Sequence, residues 1–144
     1  MAQNYEKQNA KVFVPDPGST TGNYNGDLLY AFNSTAVTAG TVYTTLIVGG
    51  STVIWVPADQ DVANRFDGLL AVATANNSSK GMLIRGVVTT GEGLTIGGKV
   101  YLGDGGAITQ TAPSGSGDNV RIIGYALSAT SIYFNPDNTY IEVA

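Results

Sequence analysis

Chemistry in this sequence has to be sought without histidine or cysteine, because the chain holds neither. Without histidine the commonest general base is missing, and so is every Ser-His arrangement. Without cysteine there is no thiolate metal site and no disulfide framework. A carboxylate pair is the remaining route, as in glycoside hydrolysis. Most of the eleven Asp and Glu residues stand beside Gly, Pro or Asn, in turn-like contexts, and none sits in a recognisable pair. Asp59-Gln60-Asp61 and Asp104 hint at calcium. Calcium takes six or more oxygens, however, and neither stretch is a loop of spaced carboxylates. Helix capping and turn formation explain them more simply. Gly93-Leu94-Thr95-Ile96-Gly97-Gly98-Lys99 has the spacing of a phosphate loop. Such a loop needs Ser or Thr next and a helix behind it. Val100 follows instead and opens a strand, so a glycine-rich β-turn is expected. The chain is expected not to be an enzyme, and to use no cofactor and no metal.

Two further sets of residues invite a function. Asn33-Ser34-Thr35, Asn76-Asn77-Ser78 and Asn77-Ser78-Ser79 match glycosylation acceptors, as a chain rich in Asn, Ser and Thr does by composition. Trp55, Phe66, Tyr5, Tyr24 and Tyr43 could form a sugar- or protein-binding surface, but aromatics in a β-rich protein are more often core or sheet-face packing.

The elements that must position these residues are strands. Charged residues make up 12% of the chain, against a usual share of about 25%. Hydrophobic residues make up 43% and there are 19 glycines. That mixture disfavours both disorder and long helices, and favours short strands with tight turns. The net charge is −4 and the Lys and Arg residues are scattered, so nucleic acid is not an expected partner. No apolar run approaches about 20 residues, so no helical membrane span is expected. The first residues are polar and do not read as a secretory signal.

Residues 1–26 read as an extended N-terminal arm, and 27–144 as one β-barrel or β-sandwich domain of about ten short strands. In the arm, Pro15 and Pro17 discourage helix. The strand candidates are Asp27–Asn33, Thr41–Val48, Thr52–Val56, Leu69–Thr74, Met82–Thr89, Lys99–Leu102, Ala107–Gln110 and Val120–Ser128, then Ile132–Phe134 and Tyr140–Val143. Gly49-Gly50-Ser51 predicts a hairpin. The one helix candidate lies near 59–66, with Asp59 as cap and Val62 with Phe66 as an i, i+4 apolar pair. Met82–Thr89 and Val120–Ser128 are apolar on both alternating faces except at Arg85 and Arg121. Such strands are buried on both sides, in a barrel wall or against a neighbouring subunit. The closing stretch reads as a meander whose last strand is paired into the sheet.

From Lys80 onward several pieces stand in a suggestive order: Gly81-Met82-Leu83-Ile84-Arg85-Gly86, Gly98-Lys99-Val100-Tyr101-Leu102, Thr111-Ala112-Pro113-Ser114, Gly117–Leu127 and Tyr133–Thr139. Taken together they resemble a β-rich module of tailed-bacteriophage virion structural proteins. It occurs in small capsid decoration (cement or head-auxiliary) proteins and at the ends of tail or fibre proteins. The resemblance implies a homotrimer on the outer capsid surface of the virion, assembled in the bacterial host cytoplasm, with the phage major capsid protein as partner. On that reading Tyr5, Val12, Phe13 and Val14 of the arm meet the capsid. Trp55, Phe66, Arg85, Arg121 and Tyr125 are the subunit-interface candidates. The alternatives are a tail or fibre structural or adsorption protein, or a carbohydrate-binding β-domain.

Overall fold

The computed structural model describes residues 17–30, 36–77 and 81–144. The described residues are nearly all-β, as expected, with eleven strands, most of them in one sheet curled into a half-barrel. The main sheet holds β1 (Tyr24–Leu29), β2 (Val42–Val48), β3 (Thr52–Pro57), β4 (Leu70–Ala73), β5 (Met82–Thr89), β6 (Lys99–Leu102), β7 (Ile108–Thr109), β9 (Ile122–Ala126) and β10 (Ser131–Phe134). β8 (Asn119–Val120) and β11 (Ile141–Glu142) form a separate two-stranded sheet.

β5 organises the sheet. Leu83 pairs with Leu28 of β1 and with Val72 of β4, while Val88 pairs with Tyr24 of β1 and with Ile132 of β10. A strand residue has only two edges, so β1 takes one edge of β5, and β4 and β10 share the other. Two wings leave β5 there, β4-β2-β3 and β10-β9-β6-β7. The main core fills the space between them. Val42, Leu70 and Val72 come from one wing, Val100, Ile123 and Phe134 from the other, and Leu83 and Val88 from β5 itself. Alternation then places a second cluster on the opposite face. All four residues of β4 are buried: Leu70 and Val72 in the first cluster, Ala71 and Ala73 in the second with Tyr43, Trp55 and Met82. The doubly apolar character of Met82–Thr89 thus has an intrachain cause.

Several boundaries differ from expectation. Tyr24–Gly26, expected in the arm, are the first half of β1, and Gly22 N–H donates to Thr89 O at 2.8 Å. Residues 1–16, with Tyr5, Val12, Phe13 and Val14, lie outside the described residues, as do residues 31–35 and 78–80. The expected long strand Val120–Ser128 is broken at Arg121, whose side chain turns inward to bond loop carbonyls. Just beyond it Val100 pairs with Gly124 and Tyr101 with Ile122, which leaves Ile123 as the extra residue of a bulge. That bulge puts Ile123, fully buried, into the core. Among the described residues the last strand pairs with β8 and not with the main sheet, and its Ile141 is 73% exposed.

The helix near 59–66 does not form; the segment is a run of turns. Asn64 has φ +64°, a left-handed value that interrupts a right-handed helix. The Asp59 carboxylate does accept the Asp61 N–H, at 3.3 Å, but its other oxygen takes the Gly105 N–H at 3.0 Å. The expected cap therefore ties this loop to the 3₁₀ turn Asp104–Gly106 instead of starting a helix.

Candidate functional site

Five residues were expected at a subunit interface, and the fold sorts them by exposure. Trp55 is 3% exposed in the second core cluster, so its area already serves this chain's own folding. Phe66 is half-buried against the main core and meets Tyr140 edge-on, with ring centroids 5.0 Å apart. Arg121 is buried. Arg85 and Tyr125 reach the surface. Arg85 lies across β1 from Asp27, with Nε to Oδ2 at 3.6 Å. Tyr125 stands in a cross-strand row with Lys99 and Tyr133. Of the aromatic set, the four described members do not form one surface: Tyr43 is in the second cluster, where its Oη accepts the Thr38 N–H at 2.8 Å, and Tyr24 is exposed on β1.

The hairpin β2–β3 presents a further apolar surface. Among the described residues β4 pairs with Val42–Thr44 and not further, so Thr45–Val48 have β3 as their one described pairing strand. Leu46, Val48 and Ile54 face one way there, and Ile47 and Val53 the other. Ile47 is 69% exposed, and Val48 is also exposed. No charged residue stands between Asp27 and Asp59. Projecting strands normally carry Lys, Pro or inward charges that discourage association. A two-stranded ribbon alone is marginal in water. The lack of charge was visible in the sequence; the projection beyond β4 was not.

The phosphate-loop spacing is a β-turn, as expected. Gly98 N–H donates to Thr95 O at 3.1 Å, Gly97 has φ +80°, and Lys99 opens β6. The acidic residues differ from expectation, since the fold brings the two separate stretches together. Asp59, Asp61 and Asp104 have carboxylate oxygens within 4.8 Å of one another. Such a trio could hold a cation. The bonds already present account for the arrangement, including Gln60 Nε2 to Asp104 Oδ1 at 2.8 Å.

This cluster gives the chain an acid profile. The Asp61 carboxyl is raised above the ordinary 3.8 by its hydrogen bond to Asp59, by partial desolvation and by the surrounding carboxylates. At Asp59 burial pushes upward, but the bonds from Gly105 and Asp61 and the charge of Arg65 together hold it below 3.8. Asp137 is held below 3.8 by the Thr139 N–H and hydroxyl, at 3.1 and 3.0 Å. A lowered carboxyl contributes stability above its unfolded value and loses it as pH falls through the folded value; a raised one has the opposite sign. Thermal stability should therefore hold or rise slightly as pH falls from 7 toward 4, then drop below 3.8. Asp61→Asn, whose amide donates to Asp59 as the protonated acid does, should be more stable at pH 7 and lose the rise. Melting curves across this range check it, and a monotonic fall from pH 7 in the parent protein would contradict it.

A third feature is an open groove of about 570 Å³ beside the β1–β5 junction. Its lining includes Asp67, Leu69, Ile84, Arg121, Asn135 and Asn138. Arg121, 5% exposed, is fixed at its back: Nε donates to Asp137 O at 2.7 Å, and Nη1 donates to Phe66 O at 2.6 Å and to Gly68 O at 2.8 Å. Burial lowers the guanidinium's hold on its proton, and the Asp67 and Asp137 carboxylates offset part of that.

No protein-family model matches the chain, and no curated protein is significantly similar to it.

Proposed function

We propose that this chain is a capsid decoration protein of a tailed bacteriophage. It associates as a homotrimer and binds the major capsid protein on the outer shell, which it stabilises. The observation that carries this reading is the uncharged hairpin β2–β3, with Ile47 and Val48 presented beyond the sheet. Apolar strands of this kind are covered in a functional assembly, and a second copy of the same chain covers them in a closed ring. Arg85 and Tyr125 are the sequence-derived interface candidates that remain on the surface. The ordered pieces from Gly81 to Thr139 that resemble phage decoration modules supply the partner. Standard interfaces bury about 1,600 Å². Three subunits engaging one shell site together bind far more tightly than one. Tyr5, Val12, Phe13 and Val14 are the capsid-contacting residues of the arm on this reading.

The test pairs mass in solution with binding to undecorated shells. The parent chain should sediment at three times its monomer mass and bind shells. Ile47→Glu with Val48→Glu should weaken self-association at least about tenfold, equivalent to about 1.4 kcal/mol, while the monomer keeps its melting temperature. A monomeric parent chain that ignores shells would overturn the reading.

A further inference from the structure

We propose that the groove beside the β1–β5 junction is a saccharide-binding site, formed around the Nη2 group of Arg121. With Nε and Nη1 committed to three carbonyls, Nη2 donates to no described residue, although Arg121 lines the groove. A buried guanidinium held rigidly from behind presents its remaining N–H pair in a fixed direction. Five other residues with polar side chains line the same space: Asp27 and Arg85, which face each other across the β1–β5 pair, and Asp67, Asn135 and Asn138. The Asp67 carboxylate and the side-chain amides of Asn135 and Asn138 make no hydrogen bond to any described residue. Leu69, Ile84 and Pro136 supply apolar wall between them.

This set matches a polyhydroxylated ring. A sugar hydroxyl both donates and accepts, so adjacent hydroxyls need acceptors and donors side by side. Asp67 supplies acceptors only, Arg121 donors only, and the two amides supply both. These planar groups can each engage two neighbouring hydroxyls, while the C–H face of the ring covers Leu69 or Pro136. An apolar site with a few convergent polar groups is the usual form of a small-ligand pocket. A simple anion fits less well, because two carboxylates, Asp27 and Asp67, share the groove with Arg85 and Arg121 and balance their charge. The pieces come from far apart in sequence, since Phe66 O and Gly68 O are bonded by a residue more than fifty positions away. The site therefore exists only in the folded chain. It is independent of shell binding, because a virion protein of any position can carry it.

The experiment is a titration of the isolated, isotope-labelled protein with glucose, galactose, rhamnose and N-acetylglucosamine, each to about 50 mM, with sodium acetate as the anion control. At the binding energy per non-hydrogen atom usual for drug-sized ligands, a hexose of about twelve such atoms has a dissociation constant on the order of 1 mM. At least one sugar should produce saturable amide shifts confined to Gly68, Leu69, Arg121, Asn135 and Asn138. Asn138→Ala, at an exposed position, should weaken that binding about tenfold without changing the melting temperature, and Asp67→Asn should weaken it likewise while lowering the melting temperature slightly, because it withdraws a charge that compensates the buried Arg121. The proposal is overturned if no sugar shifts these residues, if the variants bind as the parent does, or if acetate alone perturbs Arg121, which would make the groove an anion site. Shell binding is not measured in this titration, so its outcome is separate from that of the decoration reading.

Discussion

Replacing Arg121 with Leu is expected to destabilise the protein by roughly 3 kcal/mol, a fall in melting temperature of about 10 °C for a domain of this size. The guanidinium makes three short bonds, to Phe66 O, Gly68 O and Asp137 O. No other described donor reaches those carbonyls. Each orphaned acceptor costs about 1–3 kcal/mol when water cannot replace the donor. Gly68 and Asp137 are exposed residues, so water recovers part of the loss there, while Phe66 is half-buried. The leucine also removes a desolvated charge, which is a gain. Losing the tie between the 59–69 loop and the 135–140 loop outweighs it. Arg121→Lys keeps the charge but not the fork that reaches three acceptors, so it should fall between parent and leucine variant. Thermal melts followed by near-ultraviolet dichroism report this. A leucine variant that melts with the parent would show that the loops hold together without the guanidinium.

That residue also marks how far the sequence could be read. A lone arginine in the apolar run Val120–Ser128 stood out, and its side chain was expected to face another subunit. What it meets instead is carbonyl oxygen from residues 66, 68 and 137, and nothing local announces carbonyls that distant. Lys99–Leu102 and Met82–Thr89 were legible to the residue, because β-branched runs bounded by glycine decide a strand locally. The 59–66 segment carries an equally good local helix signal. It loses to one long-range bond, Gly105 N–H to Asp59, and to the left-handed Asn64. Local pattern thus identified the strands well and the turns between them poorly, since a turn's partners are supplied by the tertiary fold.

The candidate sites follow the same division. The uncharged stretch between Asp27 and Asp59 was present in the composition, but its projection depends on β4 ending its pairing at Thr44. In the sequence Asp59-Gln60-Asp61 and Asp104 read as two separate turn features, and only the contact of the 59–61 loop with the 3₁₀ turn makes them one acidic cluster. The groove had no sequence signal beyond Arg121 itself. Asp67, Asn135 and Asn138 looked like ordinary loop residues, and their convergence is a property of the fold.

Gly86→Ala should cost roughly 2–5 kcal/mol, from overpacking and from backbone strain together. Gly86 faces Gly26 where β1 crosses β5, and it has φ +140°. A Cβ on Gly86 would lie 2.6 Å from the Gly26 Cα, and one on Gly26 would lie 2.7 Å from the Gly86 Cα. Both contacts are with backbone, so no side chain can swing away; the strands must separate. The two causes can be measured apart. Gly26→Ala has the clash without the positive φ. Gly49→Ala has φ +59° with nothing within 4 Å of the added carbon, so it should cost only about 1–2 kcal/mol. The expected order of loss in chemical denaturation is Gly86→Ala, then Gly26→Ala, then Gly49→Ala. The first two should also disturb amide signals in both wings, because β4 and β10 hang from the opposite edge of the strand that β1 would push. If Gly86→Ala unfolds within about 0.5 kcal/mol of the parent, β1 does not pair with β5 in this register. The placement of the groove beside their junction would then fall with it.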